Sequence, residues 1–122
     1  MRSHQAKYSI QPAAGSFIDI TDKVEAALKE SAVRSGRVTV FASDDDSRLV
    51  VNERESGLMA DMERVLRKLG PERSRALVGS ASVTVPIEAG RLHLGTWQRI
   101  LLVLFPSSAR SASTVILEVV GS

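Results

Sequence analysis

The order of strand-like and helix-like segments predicts an α+β domain. Segments rich in β-branched residues occur in both halves of the chain, whereas apolar residues at helical spacing occur mainly in two stretches. No repeat and no long linker divides these segments, and 122 residues suit one domain covering residues 1–122. Hydrophobic residues make up 43% and charged residues 25%, which is ordinary for a folded globular chain and argues against disorder.

The N-terminal third predicts two strands and a helix. Residues 5–11 alternate loosely and residues 17–20 resume a strand, with a turn at residues 14–16 between them. Thr21 suits the N-cap of a helix that ends near residues 35–36, because its hydroxyl can accept an amide hydrogen bond. The apolar stripe of this helix consists of Val24, Ala27, Leu28 and Ala32.

The middle third predicts two strands followed by two helical segments. Residues 37–42 and residues 47–52 are rich in β-branched side chains. Over residues 57–69 the apolar residues recur at helical spacing, and the pair Gly70–Pro71 ends that helix. A second, shorter helical segment is predicted over residues 73–78.

The last third is predicted to be β-structure. Residues 97–105 are nearly all apolar after Arg99, as expected for a strand that is buried on both faces. A turn at residues 88–91 and a loop at residues 106–113 separate the strands of this part. The four predicted strands are residues 81–87, 92–94, 97–105 and 114–120.

Composition excludes several classes of function. The absence of cysteine excludes disulfides, thiolate metal sites and a cysteine nucleophile. The net charge is only +2, from 16 basic and 14 acidic residues, and aromatic residues are few, so we expect no nucleic-acid partner. No apolar run approaches the ~20 residues of a membrane span, and the first residues lack the apolar core of a signal peptide. We therefore expect a cytoplasmic protein with no membrane partner.

Motifs in the last third resemble the signature of the YjbQ family, small proteins associated with a secondary thiamine-phosphate synthase activity. In that family a Pro-Ile pair and a turn glycine precede Leu-x-Leu-Gly-Thr-Trp-Gln. Upstream, an Ile-Thr-Asp junction and an Asn-Glu pair also match. The matching residues here are Ile20, Thr21, Asp22, Asn52, Glu53, Pro86, Ile87, Gly90, Leu92, Leu94, Gly95, Thr96, Trp97 and Gln98.

The resemblance implies a mixed β-sheet curled into a half-barrel, with helices packed on one side, and a homotrimer. The residues themselves support a structural role for the motif. Gly90 suits a hairpin turn, and Gly95 allows either a bulge or the close approach of backbone or ligand. We favour a structural corner and subunit contact for residues 95–98 over direct contact with a ligand.

The resemblance also indicates that polar groups have been lost. The family has a histidine where this chain has Asp44, at the start of a His-Thr-Ser-Ala motif, and a second histidine where this chain has Arg73. A family glutamate that follows the Trp-Gln pair is replaced at Leu104 and Phe105. Histidine can ligate a metal or transfer protons near pH 7, whereas arginine stays protonated and leucine is inert. The two remaining histidines, His4 and His93, match no family histidine, and we assign no catalytic residue.

Three interpretations of the run Asp44–Asp46 stay open. Together with Glu53 the carboxylates could bind Mg²⁺ or Ca²⁺, although adjacent strand residues point to opposite faces. They could instead form an acidic turn, because Asp suits local turn hydrogen bonds. Finally, Asp44 and Arg73 could form an ion pair that replaces the two histidines. We favour the turn and predict no metal site, so Mg²⁺ remains a possibility only for an active enzyme.

Two functions follow from these predictions. The favoured one is a trimeric binding or structural protein that lacks the thiamine-phosphate synthase activity. The alternative is an enzyme acting on a phosphorylated small molecule with a rebuilt Asp/Arg site. In that alternative Asn52, Thr96 and the amides near Gly95 contact the ligand. Arg73 then binds a phosphate, and Asp44 or Glu53 acts as the acid–base group.

Overall fold

A computed structural model of the chain describes residues 1–11, 17–105 and 112–122. The strands are β1 (Arg2–Ile10), β2 (Phe17–Asp19), β3 (Gly36–Ala42), β4 (Ser47–Glu53), β5 (Ser82–Glu88), β6 (Arg91–Leu92), β7 (Gln98–Leu104) and β8 (Ser113–Gly121). The helices are α1 (Thr21–Ser31), α2 (Ser56–Leu69) and α3 (Pro71–Leu77). This order confirms the predicted α+β class. The turn expected at residues 14–16 and most of the loop expected at residues 106–113 lie outside the described residues.

The strands form two sheets. One contains five strands in the order β1-β8-β3-β5-β6, and the other contains three in the order β2-β7-β4. The half-barrel is confirmed, since one sheet is curled in that way. The strand pairs, however, are all antiparallel across the described residues, so the sheets are not mixed. Parallel neighbours need a crossover, usually helical. Here the helical connections instead carry the chain from the smaller sheet to the larger one, from β2 to β3 and from β4 to β5.

The main core lies between the two sheets and helix α1. Alternate residues of the central strands point into it, including Val38 on β3 and Leu117 on β8, both fully buried. Val24 and Leu28 of α1 pack on the same cluster. Each fully buried side chain of this kind contributes roughly 1.5–3 kcal/mol. The period-two burial of β3 and β8 therefore fixes their register, because a slip of one residue would expose the apolar face.

Strand β7 contributes to two cores, as its apolar sequence predicted. Ile100 and Leu102 face the main core, while Leu101 and Val103 face a second cluster that includes Leu66 of α2. Because both faces of β7 are apolar, both need cover, and the two long helices supply it from opposite sides. The helices are thus distributed over two faces of the smaller sheet, where the resemblance implied one side.

The start of α1 differs from the prediction for Thr21. Thr21 is the first helical residue, and its hydroxyl accepts a hydrogen bond from the amide of Ile100 at 2.8 Å. The amide of Thr21 instead donates to Oδ1 of Asp19 at 2.9 Å. Thr21 therefore ties the helix to β7, and Asp19 satisfies the first free amide. The helix also ends earlier than expected, at Ala32, whose φ of 58° is left-handed.

No helix in the described parts of the chain combines the length and apolar character that crossing a membrane requires.

Candidate functional site

Four of the predicted ligand-binding residues lie together at one end of strand β4. Asn52 and Glu53 are its last residues, and Glu53 lies opposite Gln98 on β7. Just before β7 the chain makes a turn, closed by the amide of Gly95 donating to Oε1 of Gln98 at 2.7 Å. This turn places Gly95 and Thr96 beside the end of β4. The corner predicted for residues 95–98 is confirmed, while their contact with a ligand or subunit stays a prediction.

Trp97 dominates this end of the strand. Its side chain is 74% exposed, although an indole is among the largest apolar groups a protein can bury. It borders a cavity of about 330 Å³ lined by Glu53, Arg54, Glu55 and Trp97. The cavity thus combines a flat aromatic face with one guanidinium and two carboxylates. We call this region, with the residues described next, the Trp97 end of β4.

Asp19 organises the charges at the Trp97 end. Its side chain is only 9% exposed, and Oδ2 accepts hydrogen bonds from Nε of Arg99 at 2.7 Å and Nη1 of Arg54 at 3.2 Å. Burial by itself raises the pKa of Asp19, but the hydrogen bonds from Thr21, Arg99 and Arg54 outweigh it and lower that pKa. Asp19 therefore stays ionised near neutral pH and cannot donate a proton. The same pairing raises the pKa of Arg99.

Glu55 lies at the rim of the cavity and caps helix α2. Its two carboxylate oxygens accept hydrogen bonds from the amides of Gly57 and Leu58, each at 2.8 Å. These bonds lower the pKa of Glu55. Both acidic groups with a lowered pKa at this end thus favour the ionised state, so neither suits proton donation.

The opposite end of β4 holds Asp44, and its carboxylate serves the backbone. Oδ2 of Asp44 accepts a hydrogen bond from the amide of Thr114 on β8 at 2.8 Å. The carbonyl of Asp44 accepts from the amide of Ser47 at 3.4 Å, and the carbonyl of Asp45 accepts from Nη1 of Arg48 at 3.1 Å. The three aspartates therefore form a hydrogen-bonded acidic turn, which confirms the favoured interpretation. We call this region the Asp44 end of β4.

The ion pair between Asp44 and Arg73, the third of the open interpretations, is absent among the described residues. Asp46 pairs instead with Arg75, with 3.0 Å between Oδ1 and Nη1. Residues two apart on a helix point about 200° away from each other, so Arg75 faces the turn while Arg73 is exposed on the outside of α3. The prediction selected the wrong aspartate and the wrong arginine, although an Asp–Arg pair does join these two segments.

The described part of the chain contains no group of three His, Cys, Asp or Glu side chains that could hold a metal ion. At the Asp44 end the reason is local. The carboxylate of Asp44 faces the amide of Thr114, and that of Asp46 faces Arg75, so the two carboxylates do not converge. Glu53 cannot join them either, because it lies at the other end of β4.

The predicted site residues are therefore divided between two places. Asn52, Glu53, Gly95 and Thr96 lie at the Trp97 end. Asp44 lies at the Asp44 end, and α3, which carries Arg73, contacts that end through Arg75. Six residue steps separate Ser47 from Glu53 along β4, which is roughly 20 Å at ~3.3 Å per residue. A single small ligand cannot contact both sets within one chain.

The two histidines occupy exposed or edge positions. His93 pairs with Glu88 across the β5–β6 hairpin, with 2.7 Å between Nδ1 and Oε2, and both side chains are exposed. Nε2 of His4, on the edge strand β1, lies 3.4 Å from Oε2 of Glu30. Neither histidine borders the Trp97 cavity.

Sequence reasoning missed Asp19, Arg54 and Arg99. A signal for two of them was present, since Asp19 and Arg99 are isolated charges in strands that are otherwise apolar. Opposite charges in such strands usually pair when the strands are neighbours, because an unpaired buried charge is costly. The position of Arg54 at the end of β4 gave no comparable signal.

The fold and the site define a class of protein: an α+β domain of two antiparallel sheets, with an exposed tryptophan and a charged cavity at one end of the smaller sheet. The chain belongs to the YjbQ-like UPF0047 protein family, whose model matches residues 6–122.

Relatives and solved structures agree with this assignment. A UPF0047 protein of Archaeoglobus fulgidus is 38% identical, over 73% of this chain and 80% of the relative. Another, from Methanothermobacter thermautotrophicus, is 35% identical over 69% of each chain. A crystal structure from Sulfolobus solfataricus, described as a YbjQ-like protein of unknown function, has a TM-score of 0.89 and 25% identity, covering 99% of both chains. A structure from C. acetobutylicum has a TM-score of 0.85 and 29% identity, covering 95% of this chain and 98% of that one.

Proposed function

We propose that this member of the YjbQ family is a homotrimeric, cytoplasmic binding protein without thiamine-phosphate synthase activity. The observation that carries the proposal is the contrast between the two ends of β4. The positions that match the family's histidines are used for structure or point to solvent. The opposite end of the strand presents an exposed indole and charged groups beside a cavity.

The contacts of Asp44 support the absence of thiamine-phosphate synthase activity. Its carboxylate accepts a hydrogen bond from the amide of Thr114. If the carboxylate acted as a base instead, this half-buried amide would lose its partner. Arg73 is exposed and joins no ion pair in the described ranges. A general base and a phosphate-binding cation would have to work within one pocket, and these two groups do not meet.

The Trp97 end supports binding of a small molecule that carries a ring and a phosphate. The exposed face of Trp97 can stack on a planar ring, a contact worth about 0.5–1.5 kcal/mol beyond area burial. Arg54 lines the same cavity and can donate to a phosphate, while Asp19 holds only one of its amino groups. Thr96, the exposed neighbour of Trp97, can supply a further hydrogen bond. Asn52 lines a different cavity, with Leu58 and Met62 of α2.

Exposed apolar side chains support the trimer. Helix α2 has 14 residues with a marked apolar stripe, yet Leu66 is the one residue of it that is buried. Val65 on α2 and Leu77 on the adjoining α3 are 53% and 72% exposed. Apolar groups concentrated in this way mark interaction surfaces. Packing against two further copies of the chain would bury them.

The single tryptophan makes the binding proposal directly testable. Titration of the purified protein with a thiazole phosphate should quench or shift the fluorescence of Trp97, and saturation gives the affinity. The Arg54→Gln variant should weaken binding, whereas the Arg73→Gln variant, with the same charge change at the Asp44 end, should not. Equal weakening by both variants, or no saturable change in fluorescence, would contradict the proposal. Light scattering should give three times the chain mass, and a monomer would refute the trimer.

The alternative is an enzyme acting on a phosphorylated small molecule. The half-buried pair of Asp46 and Arg75 favours it, because an acid and a phosphate-binding cation do lie together at the Asp44 end. In that case Asp46→Ala should abolish product formation while leaving binding at Trp97 unchanged.

A further inference from the structure

A second cavity, of about 720 Å³, lies at the C-terminal end of α1, beside the β5–β6 hairpin. It is lined by Glu25, Leu28, Lys29, Ala32, Val33, Arg34, Gly90, Arg91 and Leu92. Its residues come from α1, the segment after it and the hairpin of the larger sheet. It shares no residue with the cavity at Trp97.

The charges of this cavity are unbalanced. Lys29, Arg34 and Arg91 line it together with a single carboxylate, Glu25. None of these three cations takes part in an ion pair within the ranges that the structure describes. Three cations around one cavity repel one another, and an anion bound between them would relieve that repulsion.

Arg34 is held in place by neutral backbone groups. Its Nη2 donates to the carbonyl of Ala89 at 3.2 Å, and the amide of Gly90 donates to the carbonyl of Arg34 at 2.9 Å. A Cβ at Gly90 would lie 3.0 Å from Nη1 of Arg34, so glycine permits this close approach of the guanidinium. Arg34 is thus positioned by neutral groups and not by a carboxylate partner. Its remaining N–H groups are available to a ligand.

Two carbonyls near the end of α1 already have hydrogen-bond partners. The carbonyl of Leu28 accepts a hydrogen bond from the hydroxyl of Ser31 at 2.6 Å, and the carbonyl of Lys29 accepts one from the amide of Ala32 at 3.2 Å. The last carbonyls of a helix carry partial negative charge, so satisfying them reduces their repulsion of an anion.

We infer that this cavity binds a small phosphorylated molecule with at least two negative charges, held by Lys29, Arg34 and Arg91. Arg34 and Arg91 can each donate two parallel hydrogen bonds to phosphate oxygens, and Lys29 adds a point charge. Leu92, which is only partly buried, offers apolar surface to the uncharged part of the molecule. This site is independent of the proposed function at Trp97, so either can fail without the other.

Calorimetric titration with inorganic pyrophosphate tests the inference on the intact protein. We expect saturable binding of one pyrophosphate per chain. The Arg91→Gln variant should weaken binding about tenfold or more, because it removes a charge-assisted contact. Arg91 makes no side-chain hydrogen bond among the described residues, so this variant should fold normally. Lys29→Gln should act in the same direction.

Arg37→Gln is the matched control. Arg37 is an exposed arginine on β3, close in sequence to Arg34, but it does not line the cavity. Unchanged pyrophosphate affinity in Arg37→Gln, with the loss in Arg91→Gln, supports the site. Equal weakening by both variants would show general charge attraction and overturn the inference. The absence of saturable binding at millimolar pyrophosphate would also overturn it.

Discussion

The two ends of strand β4 use charged residues in different ways. At the Asp44 end, the acidic turn is bonded to the protein itself, through the amide of Thr114 and the side chain of Arg75. At the Trp97 end, Asp19 is neutralised by two arginines, but an indole and further charges remain exposed beside a cavity. The most unusual run of the sequence is thus structural. The exposed apolar group that folding alone does not require lies at the other end.

The substitution with the largest expected effect on stability is at the Trp97 end. Asp19→Ala should lower the free energy of unfolding by about 2–3 kcal/mol, because it removes the closer and more buried carboxylate partner of Arg99 and leaves one helix amide unsatisfied. Denaturant unfolding measures this change. Asp22→Ala is the control, since Asp22 contacts the same arginine at 3.3 Å but is 88% exposed, and its loss should cost less than about 0.5 kcal/mol. Similar losses in both variants would show that Asp19 is not the organising group.

The pH dependence of stability sharpens this result. Because the pKa of Asp19 is lowered in the folded state, its stabilisation is complete above the unfolded pKa of about 3.9. That stabilisation is lost as the pH falls through the lower, folded pKa. Below about pH 4, the free energy of unfolding should therefore fall more steeply with decreasing pH in the natural chain than in Asp19→Asn. Identical slopes would mean that other carboxylates account for acid unfolding.

At the Asp44 end the expected effect is smaller. Asp44→Ala removes the hydrogen bond to the amide of Thr114 and should cost about 1 kcal/mol of stability. Asp45 serves as the control, because its side chain is exposed and only its carbonyl is used. Asp45→Ala should be close to neutral. A stabilising effect of Asp44→Ala would indicate strain among the carboxylates, as expected for a site built to hold a cation.

The pair of arginines on α3 gives a finer test of the same region. Arg75→Ala should lower stability by up to about 1 kcal/mol, since its ion pair with Asp46 is half-exposed. Arg73→Ala should change stability by less than about 0.5 kcal/mol. Thermal unfolding of the two variants side by side would detect the difference. The reverse order would place Arg73, not Arg75, against the acidic turn.

Trp97→Ala should have the smallest effect on the stability of a single chain, within about 0.5 kcal/mol, because the side chain is 74% exposed. Its effect on ligand affinity or on the trimer should be larger. A loss of several kcal/mol in stability without a change in binding or mass would show that the indole is structural.

Much of the fold could be predicted because it follows from local patterns. The alternating strands, the helix over residues 57–69 and the doubly buried β7 all appear near the expected residues. The turn glycine at Gly90, with φ of 73°, was also predicted from the sequence. The mixed sheet that the resemblance implied was wrong, because the helical connections join different sheets and the strand pairs of the described residues are antiparallel.

The site was harder to predict because it depends on the direction in which side chains point as well as on their spacing in the sequence. Counting residues brought Asp44 and Arg73 together, but side chains two positions away, on Asp46 and Arg75, face each other. Thr21 is a residue type that favours helix caps, yet its hydroxyl accepts a hydrogen bond from Ile100 on β7, 79 residues further along the chain. Such long-range contacts are fixed by packing between sheets, which a single sequence does not encode visibly.

The most direct test of the account is turnover by the purified protein with the pyrimidine diphosphate, the thiazole phosphate and Mg²⁺. A family member that retains both histidines serves as the positive control, and Asp44→Ala is run in parallel. We predict no product from this chain above background while the control is active. Product that disappears in Asp44→Ala would contradict the account, because it would show that the Asp44 end is a rebuilt active site.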